Sequence, residues 1–137
     1  MRKTLTLFIV AALLISLFVM PIHASNATNA RWTNTSNTIV HHCYYAGNAE
    51  CYVYISGYTG ATVTNVDIRF EKMMGSGPYT VASWENLSGG NDFTFAEYVP
   101  NVELYCIYRL TFTADVVRNG VVETISDYLE LFYTEDM

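Results

Sequence analysis

The amino-acid sequence predicts an all-β domain, a seven-stranded antiparallel sandwich. Three observations point there. Apolar and polar residues alternate with a period of two along most of the chain after residue 36. No stretch repeats at the helical period. Short turn-forming clusters punctuate the alternation at the spacing of stacked sheets.

The elements follow in order. Residues 1–27 read as a signal peptide. Arg2 and Lys3 form a positive start, Leu7 to Met20 is an apolar run interrupted only by Ser16, and cleavage fits after Ala24 or Ala27. The run is short for a bilayer span, which takes about 20 apolar residues. The expectation is therefore a secreted, extracellular protein with no membrane attachment after cleavage. Residues 28–36 are polar and read as a mobile leader that Trp32 could tack down. The sandwich domain is expected over 37–134, with strands at 37–45, 50–56, 62–73, 79–86, 92–99, 105–117 and 121–133. Turn signals separate them, among them Ala46-Gly47-Asn48, Gly75 to Pro78, Ser88 to Asn91 and Asn119-Gly120.

The last hairpin tests the register. Asn119-Gly120 suits a two-residue turn in which both central residues adopt positive φ. Pairing back from Arg118 and Val121 sets Ala114 opposite Ile125, Leu110 opposite Leu129 and Tyr108 opposite Leu131. The other face then pairs Thr111 with Tyr128 and Arg109 with Glu130. One inner pair is anomalous, Phe112 opposite Asp127. A β-bulge turning Asp127 outward is expected, because an unpaired buried carboxylate is strongly unfavourable. On strand three, Val66, Ile68 and Phe70 share one face, while Asn65, Asp67, Arg69 and Glu71 share the other. Strand two sends Cys51, Val53 and Ile55 inward and leaves Tyr52 and Tyr54 outside.

The stretch HHCYYAGNAECYVYISGY, residues 41–58, concentrates the chain's reactive and aromatic groups. An exported chain with three cysteines can form one disulfide. In an immunoglobulin-like sandwich the second and sixth strands lie in facing sheets, which would bring Cys51 and Cys106 to one end, facing in. Cys51–Cys106 is the expected bridge; Cys43–Cys51 is the alternative if residues 46–48 form a three-residue loop, whereas a turn at Gly47-Asn48 would set Cys43 opposite Tyr52. A metal site is not expected, because His41 and His42 are adjacent on a strand and point to opposite faces. Outward tyrosines make an aromatic strip suited to sugar rings or a protein contact, so Tyr45, Tyr52, Tyr54 and Tyr58 are the candidate binding residues. The plainer reading is that tyrosine simply suits a half-exposed strand.

Charge narrows the partners. Seven basic residues against thirteen acidic ones give −6, and removal of Arg2 and Lys3 with the leader takes this to −8. No basic cluster remains, which disfavours nucleic acid and anionic membranes. Three glycosylation patterns, at Asn26, Asn34 and Asn86, are read as accidental in a chain with a bacterial type of leader. No nucleophile elbow, zinc-protease pair or phosphate-cradling loop is present, and a Cys43–His42 nucleophile is expected to be lost to disulfide formation. No cofactor is expected.

Several segments carry a resemblance: Gly47-x-Ala49-x-Cys51, SGYTGATVTNVDIRFEK at 56–72, VASW at 81–84, YRLTFTADV at 108–116 and NGVVETIS at 119–126. Over about 80 residues the chain resembles small secreted proteins of Gram-positive (Firmicute) gut bacteria with a domain of unknown function. The resemblance implies a fibronectin type III-like or immunoglobulin-like sandwich and no catalytic residues. Antibody-type domains fit less well, since Trp84 lies on strand four and Leu104 stands two residues before Cys106, where such domains have a tyrosine. The functional expectation is a non-enzymatic module binding a protein or glycan at the cell surface. A structural or self-associating component is the alternative, and a divergent hydrolase or thiol enzyme the second.

Overall fold

The structure, a computed structural model, describes residues 32–135. The signal peptide expected at 1–27 and its cleavage site lie outside them. The described residues form seven strands: β1 (Thr35–Tyr45), β2 (Asn48–Gly57), β3 (Ala61–Met74), β4 (Gly77–Leu87), β5 (Asp92–Val99), β6 (Ile107–Arg118) and β7 (Val121–Phe132). They form two antiparallel sheets, one of three strands in the order β1-β2-β5 and one of four in the order β4-β3-β6-β7.

Alternation builds the core. β2 contributes Cys51, Val53 and Ile55, all fully buried, against Val66, Ile68 and Phe70 of β3 and Leu110, Phe112 and Ala114 of β6. Each large aliphatic or aromatic side chain so enclosed stabilises the fold by about 1.5–3 kcal/mol relative to exposure. The β6–β7 ladder runs in the expected register throughout, from Arg118 opposite Val121 to Tyr108 opposite Leu131. Asn119 and Gly120 take φ of 52° and 76°, the positive values that this turn demands.

Two expectations need correction. No bulge interrupts β6–β7 at Asp127, which stays directly opposite Phe112. Its carboxylate is nonetheless exposed, because β7 is an edge strand and the inner face is not closed over it. A bulge lies instead on β3, among other register shifts, where Asn65 has φ of 49° and pairing with β6 shifts between Thr64 and Asp67. One extra residue there lets both Val63 and Val66 point inward. The other concerns the leader read as mobile, whose last residues are tied down, with Trp32 in the tacking role the sequence allowed. Trp32 packs against the core and β1 already begins at Thr35.

Glu123 of β7 makes that anchor. Its carboxylate accepts bonds from Thr33 N (2.6 Å), Thr33 Oγ1, Asn34 N, Thr35 N and Thr35 Oγ1. Burial would raise its pKa, but these donors outweigh burial and hold it below the usual glutamate value. Asn34, one of the glycosylation matches, is buried with its Nδ2 donating to the carbonyls of Val116 and Val121, so its amide is already committed.

Replacing Glu123 with Ala leaves those amides without their acceptor. The expected result is a loss of about 2 kcal/mol in urea unfolding, on the scale of bonds to a charged group, with faster amide exchange confined to residues 33–35.

Candidate functional site

The β1–β2 hairpin turns at Ala46 and Gly47, with φ of 49° and 78°. Glycine favours the second of two positive-φ positions, so the turn centres one residue earlier than Gly47-Asn48. Asn48 Nδ2 supports it by donating to the carbonyls of Tyr45 (3.4 Å) and Ala46 (3.3 Å). Tyr45 then pairs with Asn48, Cys43 with Glu50, His42 with Cys51 and His41 with Tyr52. Neither register considered from the sequence occurs.

This register corrects the cysteine assignments. Cys51 is buried on the inner face of the sheet, whereas Cys43 is half-buried on the outer face, with its thiol 3.9 Å from Glu50 Oε2. Their pairing opposes two sides of one sheet, which excludes Cys43–Cys51. Cys106 precedes β6 on the facing sheet and donates to the carbonyl of Leu104, two residues before it, at 3.5 Å. All three cysteines are free thiols, so Cys51–Cys106 does not form here either. Burial pushes the Cys51 thiol up to about 12, with Cys43 and Glu50 adding to the effect. A thiol held protonated is a poor nucleophile. His42 faces inward and Cys43 outward, so the two do not make a nucleophile–base pair.

His42 is fully buried among Phe70 (ring centroids 5.5 Å apart), Tyr44 (5.4 Å) and the paired Cys51. Its Nε2 donates to the carbonyl of Leu129 at 3.2 Å, and Nδ1 has no partner. Tyr44 donates in the same way to the carbonyl of Leu131. Side chains of one sheet's edge strand thus cap alternate carbonyls on the other sheet's edge strand, β7. Burial lowers the His42 pKa to about 4; the Leu129 bond opposes the shift and His41 adds to it.

The outer face of the three-stranded sheet is laid out in rows across β1, β2 and β5. Cys43, Glu50 and Tyr98 form one row; His41, Tyr52 and Ala96 the next; Ile39, Tyr54 and Thr94 a third. Tyr52 and Tyr54 are half-buried on this face, as expected from the alternation of β2. Tyr45 stands beside the turn, 83% exposed. Tyr58 does not join them. It lies beyond the opposite end of β2, where the Arg118 guanidinium covers its ring at 5.7 Å. The sequence reading missed Tyr98, which is 70% exposed and directly opposite Glu50. Alternation along β5 places Tyr98 outward, but only the β2–β5 pairing places it beside the other tyrosines. A pocket of about 170 Å³ lies at this corner, lined by Cys43, Tyr45, Asn48, Glu50 and Tyr98. A larger hollow of about 460 Å³ at the rim is lined by the β1–β2 turn, Val102, Leu104 and residues 133–135. Among the described residues, no group of three or more His, Cys, Asp or Glu side chains is placed to hold a metal ion.

No protein-family model and no curated protein matches the chain. Among solved structures, the sporulation control protein Spo0M from Bacillus subtilis is a distant β-rich neighbour, with 14% identity and a TM-score of 0.44. The likeness covers 75% of this chain and 50% of that one, so this chain spans about half the length of Spo0M.

The buried histidine predicts an acid-labile fold. His42 titrates near 6.5 when unfolded and about 4 when folded. Its neutral form is thus no burden above pH 6.5, and stability drains away as pH falls from 6.5 towards 4. The shift is worth about 3 kcal/mol in total. Urea midpoints at pH 7 and pH 4 measure the loss, and His42→Phe is expected to remove most of the difference between them.

Proposed function

We propose that the protein is a secreted, non-enzymatic binding module that meets a protein or glycan at the cell surface through the outer face of the β1-β2-β5 sheet. The observation that carries this reading is the row arrangement of Tyr52, Tyr54 and Tyr98, with His41, Glu50 and Thr94 among them. Aromatic rings held flat on a rigid sheet lose little entropy on binding, and polar neighbours orient what they touch. Placement of His42 and Cys43 on opposite faces, and a thiol held protonated at Cys51, favour binding over catalysis. The charged leader start and apolar run in residues 1–27 support secretion.

We read the sandwich as fibronectin type III-like, consistent with the resemblance to small exported Firmicute proteins. Constant-type antibody domains place the fourth strand beside the fifth, whereas here β4 pairs with β3. Tyr108 supports the same lineage. Its hydroxyl accepts from Glu103 N at 2.8 Å, bonding back to backbone five residues upstream in the manner of a tyrosine corner. That corner falls two residues after Cys106, not at Leu104 before it.

Binding of the purified protein to a glycan array and to immobilised cell-surface proteins tests the reading. Tyr52→Ala and Tyr54→Ala are each expected to weaken the strongest signal about tenfold, a loss of about 1.4 kcal/mol, with the circular dichroism spectrum unchanged. Full retention of binding in the double variant overturns it.

A further inference from the structure

We propose that the pocket between Tyr45, Glu50 and Tyr98 is a cation subsite that takes a lysine or arginine side chain of a protein partner. The inference rests on reading the outer face of the three-stranded sheet as the binding surface, and it selects a basic protein segment over a neutral glycan.

Charge is the first ground. Among the described residues every lysine and arginine lies on the four-stranded sheet: Arg69 and Lys72 on β3, Arg109 and Arg118 on β6. Both ion pairs, Lys72–Glu103 and Arg109–Glu130, use these residues. β1, β2 and β5 carry Glu50, Asp92 and Glu97 and no lysine or arginine. Asp92 is engaged by Ser56 Oγ at 2.6 Å, whereas Glu50 receives only the weak Cys43 thiol contact at 3.9 Å. Glu50 is thus an exposed carboxylate with no cation from its own sheet, and a partner's cation would complete it.

The second ground is the aromatic surround. Two other exposed tyrosines already carry an internal guanidinium: Arg109 lies 5.0 Å from the Tyr128 ring centroid and Arg118 lies 5.7 Å from that of Tyr58. No arginine or lysine on β1, β2 or β5 could do the same for Tyr45 and Tyr98, so their rings stay open beside the carboxylate. A carboxylate and two exposed tyrosines lining one pocket of about 170 Å³ supply the chemistry that holds one ammonium or guanidinium head.

Titration of the full chain, labelled in its tyrosine rings and followed by NMR, tests this with three probes. These are an acetylated, amidated Gly-Lys-Gly peptide, the same peptide with norleucine for lysine, and the neutral oligosaccharide chitohexaose. The lysine peptide is expected to shift Tyr45 and Tyr98 saturably while leaving Tyr128 unmoved, and the norleucine peptide to shift neither. Glu50→Gln, which keeps the side-chain volume, is expected to weaken the lysine response about tenfold. Equal response to lysine and norleucine, or an unchanged response in Glu50→Gln, overturns the subsite. Chitohexaose shifting Tyr52 and Tyr54 while the lysine peptide moves nothing also overturns it, yet leaves the face as a binding surface. Silence of all four face tyrosines towards all three probes overturns the subsite and counts against the face itself.

Discussion

Burial of Cys51, Val53 and Ile55 is the constraint on which the rest depends. These side chains are fully enclosed between the sheets, and a strand sends successive side chains to opposite faces. Glu50, Tyr52 and Tyr54 therefore have no choice but the outer face. A slip of one residue would place a carboxylate and two phenols in the core and three small apolar groups in water. The same alternation in the flanking strands brings His41 and Cys43 from β1, and Tyr98 from β5, onto that face. The candidate site is the other side of the core.

The sheet edges are managed by side chains from the facing layer. His42 and Tyr44 occupy carbonyls of Leu129 and Leu131 on β7, groups that would otherwise invite another strand. Farther along β7, Glu123 draws the N-terminal segment down through bonds to residues 33–35. These contacts link the two layers along β7. They also place a neutral imidazole in the interior, with one nitrogen unpartnered, so the joint that closes the sandwich is also its acid-sensitive point.

Most of the fold was legible because local rules and the global arrangement agree. Asn119-Gly120 and the opposed Arg109–Glu130 pair set the last hairpin from both sides, and the ladder follows that register. The first hairpin was harder. Ala46 at positive φ is not a turn signal by composition, and a shift of one residue there decides whether Cys43 or His42 shares the core with Cys51. The alternative Cys43–Cys51 bridge failed at that point, whereas the expected Cys51–Cys106 bridge failed at Cys106, which precedes β6 and turns its thiol to the Leu104 carbonyl. Asp127 and Glu97 mark a second limit: both sit at inward positions of edge strands, and both are exposed because the facing layer does not reach them. Alternation says which way a side chain points, not whether anything covers it. Tyr98 was missed for a related reason, since its nearness to Glu50 depends on a β2–β5 crossover that no local pattern encodes.

The facing of β2 can be measured directly. Relaxation of tyrosine ring protons by a neutral, water-soluble nitroxide reports which rings meet solvent. Strong broadening is expected at Tyr45 and Tyr98, intermediate broadening at Tyr52 and Tyr54, and protection at Tyr44, Tyr108 and Tyr133, which are buried. Protection of Tyr52 and Tyr54 to the level of Tyr108 would contradict this facing of β2, because the strand would then be turned over and the outer face would not exist.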